Sequence, residues 1–441
     1  MICFSATRLN RNTAIIIQFL KGCFQVRLVF FVNRFPVISE TFILNRITGL
    51  MDRGCSVDIF SNKRPKTPIS ECLMQDDVIQ YGLLERTTYT PKNKPRVLAG
   101  LKVIAKNIAR EPMAVLRCLN VFRFGRRALS LELLISYFNL KEKGPYDIIH
   151  CNYGPNGELG ALLKRIGIPG HLTVSFHGYD MSKYLHGRSD NPYSVIFEEA
   201  SLLLPVSEFF RNRLIDMGAP PEKTVVHRMG IDLDYFHFRE RYLRPDESVR
   251  LLTIGRLSEK KGIEYALKAL YKTIRHYQDM GQDITFRYDI VGDGPLSEKL
   301  QMLVTELGLN GTVIFHGSMT HGSIREMIED SHIFILPCTT SSVGNMEGIP
   351  NVIKEALASG LPVLSTWHSG IPELVEDGVS GFLVPERDVD SLSERLVYLT
   401  DNPGTWSGMG AAGREFVEAH YDERRLNDRL LRLYQEVLDD H

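Results

Sequence analysis

Glu347-Gly348-Ile349-Pro350-Asn351-Val352-Ile353-Lys354-Glu355 is the stretch that decides the fold. A strand-like run precedes it at residues 333–337, and another follows it at residues 360–366. Proline is tolerated in the first turn of a helix because its missing N–H has no partner there, so Pro350 predicts a helix start. Gly360 predicts the end of that helix. The segment is therefore predicted as strand, loop, helix and strand, which is typical of an α/β fold.

The two glutamates of this stretch are separated by seven residues. Glu347 is predicted in the loop before the helix and Glu355 on its second turn, which places them too far apart for a close catalytic dyad. The helix N-terminus between them offers N–H groups to an anion. An elongated ligand with a diphosphate in its middle and hydroxyl-rich groups at both ends fits this spacing.

Further motifs follow in a fixed order. Gly-Leu-Pro-Val occupies residues 360–363, and His368-Ser369-Gly370-Ile371-Pro372-Glu373-Leu374-Val375 follows it. With the two glutamates, these motifs resemble the retaining glycosyltransferase family four, and most closely its bacterial colanic-acid and exopolysaccharide branch. The resemblance covers about residues 26–440. It implies an α/β fold of the GT-B type, in which two Rossmann-like, doubly wound domains face each other across a cleft.

The length of 441 residues predicts two or three domains. The resemblance implies an N-terminal acceptor domain and a C-terminal nucleotide-sugar domain. The predicted division is an extension at 1–25, the acceptor domain at 26–236, a linker at 237–248, the donor domain at 249–415 and a helix crossing back at 416–441. Residues 1–25 are interpreted as an extra tail rather than a signal peptide, because their apolar core is short and no cleavage site follows it.

Composition excludes several classes of protein. The net charge of −1 does not indicate a nucleic-acid binder. Seven scattered cysteines without a CxxC pair argue against a disulfide framework or a zinc site, and for a reducing compartment. No run is long and apolar enough to cross a bilayer. We therefore expect a cytoplasmic protein, either free or peripheral on the inner face of the cytoplasmic membrane.

The N-terminal half begins with a predicted βαβ unit. Residues 26–32 form a strand, residues 40–53 a helix capped by Ser39, and residues 57–60 the next strand. Such a unit crosses over with a right hand and binds ligands at the carboxyl ends of its strands. Arg34 and Ser39 are therefore candidates for contact with the acceptor or with a diphosphate. An exposed arginine beside a capped helix explains the same residues equally well.

Residues 92–143 carry charge of mainly one sign. Apolar side chains at Leu98, Leu101, Ile104, Ala105 and Ile108 recur at helical spacing. A basic amphipathic helix of this kind lies either on an anionic lipid surface or over an ordinary core. The resemblance to enzymes with lipid-linked acceptors favours the membrane surface. The basic residues are Lys92, Lys94, Arg96, Lys102, Lys106, Arg110, Arg117, Arg123, Arg126, Arg127, Lys141 and Lys143.

His177 follows a predicted strand at residues 172–176 and belongs to His177-Gly178-Tyr179-Asp180. A lone histidine is more often structural, but this motif matches the family's His-Gly-x-Asp signature and implies a catalytic role for His177. Asp180 is a candidate for orienting His177 or for binding the acceptor. Asp232 and Asp234 resemble a metal motif of a different fold, and we predict no metal site from them.

The second half carries the candidate diphosphate site. Gly255-Arg256-Leu257 and Lys261-Gly262 follow a predicted strand, and a guanidinium with an ammonium on one loop suits a diphosphate. Exposed loop charge is the alternative. By resemblance, Arg256 and Lys261 take the leaving-group charge in place of a metal ion. Gly292, Gly294 and Gly317 are implied to lie near the donor base.

The resemblance also assigns roles around the opening stretch. It places Glu355 on the ribose hydroxyls and Glu347, with His177, beside the transferred sugar. Backbone N–H groups of Ser369, Gly370 and Ile371 are expected to assist, since a helix is predicted after them.

The implied activity is transfer of a hexose with retention, from a UDP- or GDP-linked sugar to a lipid-linked or oligosaccharide acceptor. The implied setting is bacterial exopolysaccharide synthesis, and no cofactor is expected. Two alternatives remain, a transferase with a soluble acceptor of the glycogen or sucrose type, and a non-catalytic scaffold that binds nucleotide sugars.

Overall fold

A computed structural model describes residues 26–37, 40–65, 75–91, 94–188 and 191–440. The predicted extension at 1–25, Ser39 and Lys92 lie outside the described residues. The first helix begins at Thr41 after Glu40, which occupies the N-cap position without a side-chain capping bond.

Two parallel sheets of six strands each form the framework of the described chain. The strands of the first sheet are β1 (Arg27–Val32), β2 (Ser56–Ser61), β3 (Thr87–Tyr89), β4 (Ile148–Asn152), β5 (His171–Phe176) and β6 (Ala200–Pro205). Those of the second are β7 (Val249–Ile254), β8 (Phe286–Val291), β9 (Val313–Gly317), β10 (Ile333–Ile335), β11 (Val363–Thr366) and β12 (Gly381–Val384).

Both sheets have the same strand order. The first runs β3-β2-β1-β4-β5-β6, and the second, read from its other edge, runs β9-β8-β7-β10-β11-β12. This is the doubly wound Rossmann order, in which ligands bind where the order reverses, outside the carboxyl ends of the strands. The reversal lies between β1 and β4 in the first sheet and between β7 and β10 in the second. The predicted α/β architecture is confirmed.

Helices cover the faces of both sheets. In the N-terminal half they are α1 (Thr41–Asp52), α2 (Gln75–Gln80), α3 (Lys94–Asn107), α4 (Pro112–Cys118), α5 (Val121–Leu129), α6 (Glu132–Lys143), α7 (Gly154–Ile166), α8 (Ser194–Glu199) and α9 (Glu208–Asp216). In the C-terminal half they are α10 (Ile263–Asp279), α11 (Ser297–Glu306), α12 (His321–Glu329), α13 (Asn351–Ala358), α14 (Val389–Asp401), α15 (Trp406–His420) and α16 (Glu423–Asp439).

Burial on both faces explains why the strands read as continuous apolar runs. In β1, the residues from Leu28 to Val32 are all buried, although successive side chains point to opposite faces of the sheet. Val29 and Phe31 join the core that contains β4 and α6, whereas Leu28 and Phe30 join the core on the other face. A strand enclosed in this way has no solvent-facing side to mark with polar residues.

The chain crosses between its halves twice, and the two crossings pair with each other. Ile231 bridges Asp422, and the Ile231 N–H donates to the Tyr421 carbonyl at 2.9 Å. Beyond the second crossing, α16 packs on the N-terminal half, where Leu430 and Tyr434 are completely buried against α1 and the first sheet. The C-terminal helix therefore supplies part of the N-terminal core.

Candidate active site

The stretch from Glu347 to Glu355 lies at the carboxyl edge of the second sheet, between β10 and α13. Pro350 is the N-cap residue of α13, one position before the predicted first turn. Gly360 follows the helix with a φ of +84°, a left-handed conformation that favours glycine at this position. Glu347 thus precedes the helix and Glu355 lies on its second turn, as the pattern predicts.

Glu347 is held between two ammonium groups. One of its carboxylate oxygens lies 2.9 Å from Nζ of Lys260 and 3.0 Å from Nζ of Lys261, both from the turn that follows β7. Burial raises the pKa of Glu347, but the two cations outweigh it and hold the pKa at about 2. Burial lowers the pKa of Lys261, but the negative charge of Glu347 outweighs burial, so the pKa of Lys261 is raised. Glu347 and Lys261 are therefore both charged at neutral pH.

This triad lines a cavity of about 700 Å³ between the two halves. Arg256 and Lys261 approach from the second sheet, and His177 and Tyr153 from the first. The halves meet backbone to backbone beside the triad, where a Cβ atom on Gly348 would lie 2.5 Å from the His177 carbonyl. The structure therefore brings together the predicted residues His177, Arg256, Lys261 and Glu347 around one cavity.

His177 lines the N-terminal side of this cavity. Its ring is 4.6 Å from the ring of Tyr153, and within the described residues its Nε2 atom has no hydrogen-bond partner. Burial, and then the cations Arg46 and Lys354, lower its pKa well below the usual value. The imidazole is therefore neutral at physiological pH.

Asp180 acts on the backbone around His177. Its side chain is completely buried, and its carboxylate accepts N–H bonds from His177, Gly178 and Gly154 at 3.0 Å. Burial raises its pKa to about 6, although the three N–H groups lower it. Of the two predicted roles, orienting the His177 turn fits this position, and contact with an acceptor does not.

A second cavity of about 400 Å³ adjoins the first and shares Phe42 and Asn351 with it. Glu355 lines this second cavity together with Thr320 from the β9 end. Burial raises the pKa of Glu355 to about 7, although Lys354 and Lys261 lower it. The two glutamates therefore serve two adjoining cavities, as expected for separate parts of one long ligand.

The predicted glycines Gly292, Gly294 and Gly317 tie the strand-end loops to one another. A Cβ atom on Gly292, which has a φ of +131°, would lie 2.0 Å from the Gly255 carbonyl, and one on Gly294 would lie 2.4 Å from the Leu257 carbonyl. The Gly292 N–H donates to Gly317 at 2.7 Å. None of the three glycines lines either cavity, whereas Pro295 of the same turn lines the larger one.

The helix predicted after Ser369, Gly370 and Ile371 needs correction, whereas the assistance expected from their N–H groups stays a prediction. The segment that follows is a three-residue 3₁₀ turn, Ile371–Glu373, rather than a helix with a row of free N–H groups. The Ile371 N–H already donates to the His368 carbonyl at 2.9 Å. Gly370 instead packs between the halves, where a Cβ atom would lie 2.9 Å from the Cβ of Ser207.

The acceptor-side candidate Arg34 does not line either cavity. Its Nε atom is buried without a partner among the described residues. Neighbouring Glu40 lines the larger cavity and accepts a hydrogen bond of 3.0 Å from the hydroxyl of Tyr153. Glu40 and Tyr153 were not singled out from sequence, since neither belongs to a motif with a defined chemistry.

Two lysines also escaped prediction. Lys260 contacts Glu347, and the only signal for it was the Lys-Lys pair before Gly262. Lys354 is buried and donates to the Met229 carbonyl at 2.6 Å. Burial lowers the pKa of Lys354 to about 7, although Glu355 raises it. A lysine on the cavity-facing side of α13 cannot be recognised before the orientation of the helix is known.

The described ranges contain no group of three or more histidine, cysteine or acidic side chains arranged to hold a metal ion. Asp232 instead accepts the backbone N–H of Asp234 at 2.9 Å, and Asp234 pairs with Arg424 at 2.5 Å. The two aspartates are thus engaged in a turn and in a contact with α16.

Family models and known relatives match most of this chain. "Glycosyl transferase 4-like domain" matches residues 39–230, and "Glycosyl transferases group 1" matches residues 234–416. The putative colanic acid biosynthesis glycosyltransferase WcaL of Salmonella typhimurium is 33% identical over 417 residues, which cover 93% of this chain and 100% of the relative. The chain belongs to this glycosyltransferase family.

A second relative agrees with that assignment, and solved structures share the fold. The amylovoran biosynthesis glycosyltransferase AmsK of Erwinia amylovora is 33% identical over 90% of this chain and 96% of its own. Anabaena Alr3699/HepE, solved with UDP and glucose, superimposes with a TM-score of 0.67 at 17% identity over 93% of this chain and all of its own. Sucrose-phosphate synthase of Thermosynechococcus elongatus gives 0.69 at 18% identity over 94% and 100%. These structures share the GT-B fold of this glycosyltransferase.

Proposed function

We propose that this glycosyltransferase moves a hexose from a nucleoside diphosphate sugar to a lipid-linked saccharide, with retention of anomeric configuration, in exopolysaccharide synthesis. The observation that carries the proposal is Glu347, which is held between Lys260 and Lys261 on one side of a cleft whose other side holds His177. Fixed cations and a fixed carboxylate face one cavity. Such an arrangement suits a reaction in which a diphosphate departs from a sugar.

Transfer breaks the bond between the anomeric carbon and a diphosphate oxygen, and the electron pair leaves with the diphosphate. Lys261 and Arg256 stabilise this developing charge. The acceptor oxygen bonds to the anomeric carbon from the same face, and its proton passes to the departing oxygen. Glu347 has its carboxylate oxygen engaged by two ammonium groups and a pKa of about 2. That environment favours binding sugar hydroxyls over covalent attack.

The donor is expected to extend across both cavities. The diphosphate and hexose occupy the larger one beside Lys261, and the nucleoside occupies the smaller one, with the ribose on Glu355. Carboxylate oxygens accept hydrogen bonds from vicinal hydroxyls, which makes Glu355 suitable for a ribose. The complex of Alr3699/HepE with UDP and glucose supports a nucleotide sugar as donor.

The lipid-linked acceptor is supported by the surface of α3, α4 and α5, here called the α3–α5 face. Leu98 and Leu101 are 62% and 55% exposed, and Phe122 is fully exposed. Exposed large side chains also include Val97, Ile108, Met113, Leu116, Val121 and Leu129. So many exposed bulky apolar residues on three consecutive helices exceed what a water-facing surface needs and suit shallow insertion into a lipid interface.

Charge on the α3–α5 face complements an anionic lipid. Lys102, Arg110, Arg117 and Arg123 are exposed between the apolar residues. Lys106 pairs with Glu142, Lys141 with Glu111, and Arg127 with Glu158, so part of the basic stretch is neutralised within the protein. We therefore narrow the predicted membrane contact from residues 92–143 to helices α3–α5. Among the described residues, no helix meets the length and hydropathy needed to cross a membrane.

The site of action proposed is the cytoplasmic face of the membrane. In the described part of the chain, Cys55, Cys118, Cys151 and Cys338 are buried and free of disulfide bonds. Such usage suits a reducing compartment.

Thermal unfolding of the purified protein with UDP, GDP, ADP and their glucose, galactose and mannose conjugates tests donor binding. A ligand at one hundred times its Kd stabilises by about 2.7 kcal/mol. A shift with one nucleotide family identifies the base, and no shift with any refutes the donor site.

Transfer is then assayed on membrane extracts and on soluble oligosaccharides, with the product anomer assigned by proton NMR. Transfer only to soluble sugars favours the glycogen or sucrose type, and binding without transfer favours the scaffold.

Flotation with vesicles of neutral or partly anionic lipid tests the membrane contact. The triple variant Leu98→Ser, Leu101→Ser and Phe122→Ser should remain with the unbound protein, whereas the wild type floats with anionic vesicles. The control is Met280→Ser with Met302→Ser, which removes two exposed apolar residues from the other half. Equal flotation of the triple variant and the wild type would refute insertion through this face.

A further inference from the structure

His368 lies completely buried beneath the Glu347 loop. Its Nε2 atom is 3.1 Å from the backbone nitrogen of Glu347, and its Nδ1 atom is 2.6 Å from a carboxylate oxygen of Glu386. The imidazole therefore bridges the residue that opens the Glu347–Glu355 stretch and a carboxylate that follows β12. Its side chain does not line either cavity.

The hydrogen-bond chemistry fixes the protonation of this ring. A backbone N–H can only donate, so Nε2 of His368 must accept and carry no proton. Nδ1 then carries the proton and donates a hydrogen bond to the carboxylate of Glu386. Burial raises the pKa of Glu386, but the bonds from His368 and the Thr340 N–H outweigh it and lower the pKa, so this acceptor stays ionised. A carboxylate that orients a histidine in this way selects one tautomer.

Glu386 is itself fixed by the segment that leads to Glu347. Its other carboxylate oxygen accepts bonds from the Thr339 hydroxyl at 2.9 Å and the Thr340 N–H at 2.8 Å. Arg387 reaches the same segment and donates to the Thr339 hydroxyl at 3.1 Å. Residues 336–350 contain no helix or strand, so a small number of such bonds determines where Glu347 lies.

We propose that His368 is a positioning residue for Glu347, acting through the N–H bond that its Nε2 accepts, with Glu386 holding the ring. This inference rests on the proposed function of the site. Lys260 and Lys261 orient the carboxylate of Glu347, and His368 fixes the backbone that carries it. Two constraints from different strand ends place one side chain. A displacement of about 1 Å at such a residue can reduce turnover about 100-fold.

Two substitutions separate the two bonds of the ring. In His368→Asn the amide reaches the position of Nδ1, so the variant keeps a donor for Glu386 and loses the acceptor for Glu347. In His368→Gln the amide oxygen reaches the position of Nε2 and can still accept from Glu347. We expect His368→Asn to reduce kcat about 100-fold with little change in KM for the donor, and His368→Gln to retain most of the turnover.

If both variants lose turnover equally, and their melting temperatures fall equally, His368 has only a structural role and the proposal is overturned. Full activity of His368→Asn would also overturn it. Nitrogen-15 NMR of histidine-labelled protein gives a readout that does not depend on transfer. The resonance missing in His368→Gln should show a proton on Nδ1 only. If the wild type shows this proton on Nδ1 but transfers no sugar, the proposed function is refuted. If the proton is on Nε2 instead, the positioning bond itself is refuted.

Discussion

The Nζ atom of Lys261 lies 3.0 Å from a carboxylate oxygen of Glu347. Lys261 ends the turn after β7 and Glu347 precedes α13, so this ion pair joins two loops at one edge of the second sheet. Lys261 is also nine-tenths buried, unlike the exposed Arg256. The residue predicted as a loop charge is thus part of a packed pair, and its replacement disturbs Glu347 as well.

Lys261→Ala should lower transfer at least about 100-fold, the loss typical of removing one electrostatic stabiliser of a transition state. Its melting temperature should fall as well, because Glu347 keeps only Lys260. Lys261→Ala with Glu347→Gln should recover stability without recovering activity. Steady-state kinetics and thermal unfolding measure the two effects separately. The matched control is Lys260→Ala, in which the contact with Lys261 remains. Wild-type turnover in Lys261→Ala would remove this lysine from the reaction.

Glu355→Gln should weaken nucleotide binding about tenfold, which corresponds to about 1.4 kcal/mol. The amide keeps the size of the side chain but replaces one acceptor oxygen by a donor, so only one ribose hydroxyl is still satisfied. Calorimetric titration at pH 8 is suitable, since burial raises the pKa of Glu355 to about 7 and the carboxylate is ionised above it. Exposed Glu394, replaced by glutamine, is the control. An unchanged Kd would exclude Glu355 from the ribose site.

Acid should destabilise the protein through its buried histidines. His227 lies 3.0 Å from the Leu426 carbonyl of α16 and 3.1 Å from Arg46. Burial, and then Arg46, lower the pKa of His227 to about 3. Its unfolded pKa is about 6.5, so below that pH the unfolded chain binds the extra proton. Stability present above pH 6.5 is therefore lost on acidification towards pH 3, at up to about 1.4 kcal/mol per pH unit.

Urea unfolding at pH 7.5, 6.5 and 5.5 measures this slope. His227→Gln keeps groups that can face Arg46 and Leu426 but cannot titrate, so its unfolding free energy should fall less steeply with acid. Exposed His276, replaced by glutamine, is the control for the loss of an imidazole. His150, whose pKa burial and Arg46 lower well below the usual value, accounts for a remaining share. Identical slopes in wild type and His227→Gln would show that this histidine is not the titrating group.

Metal removal should leave transfer intact. Arg256, Lys260 and Lys261 supply cationic charge at the cavity, and Asp232 and Asp234 are engaged in local contacts. Activity after dialysis against EDTA should match that of the untreated enzyme. Loss of activity that manganese restores would contradict this expectation, and Asp232→Asn would then show whether the aspartates hold the ion.

Sequence predicted the elements that are enclosed on all sides. β1 and β7 are short apolar runs with loops at both ends, and their length and composition leave only a buried strand as a solution. The order of such strands with helices between them indicates a doubly wound sheet. The α13 segment was also well defined, because Gly360 has the left-handed backbone that a glycine stop supplies.

Features set by tertiary contact could not be predicted in the same way. The helical spacing of Leu98 and Leu101 fits either a core or a lipid surface, and only the structure shows that α3 turns its small Gly100 inward, where a Cβ atom would lie 2.4 Å from Leu131. The turn at 371–373 ends at Glu373, whose carboxylate accepts N–H bonds from the first turn of α9 in the other half. No local pattern reveals a partner so distant in the chain.

The position of α16 affects how the protein is made. Leu430 and Tyr434 complete the core around β1, which is synthesised at the opposite end of the chain. A ribosome must therefore release nearly the whole polypeptide before the first sheet acquires its last covering helix. Until then the apolar surface of α1 is open to chaperones or to aggregation. A gene fragment that encodes only the first half is accordingly expected to yield insoluble protein, and co-expression of residues 421–441 as a separate peptide offers a way to rescue it.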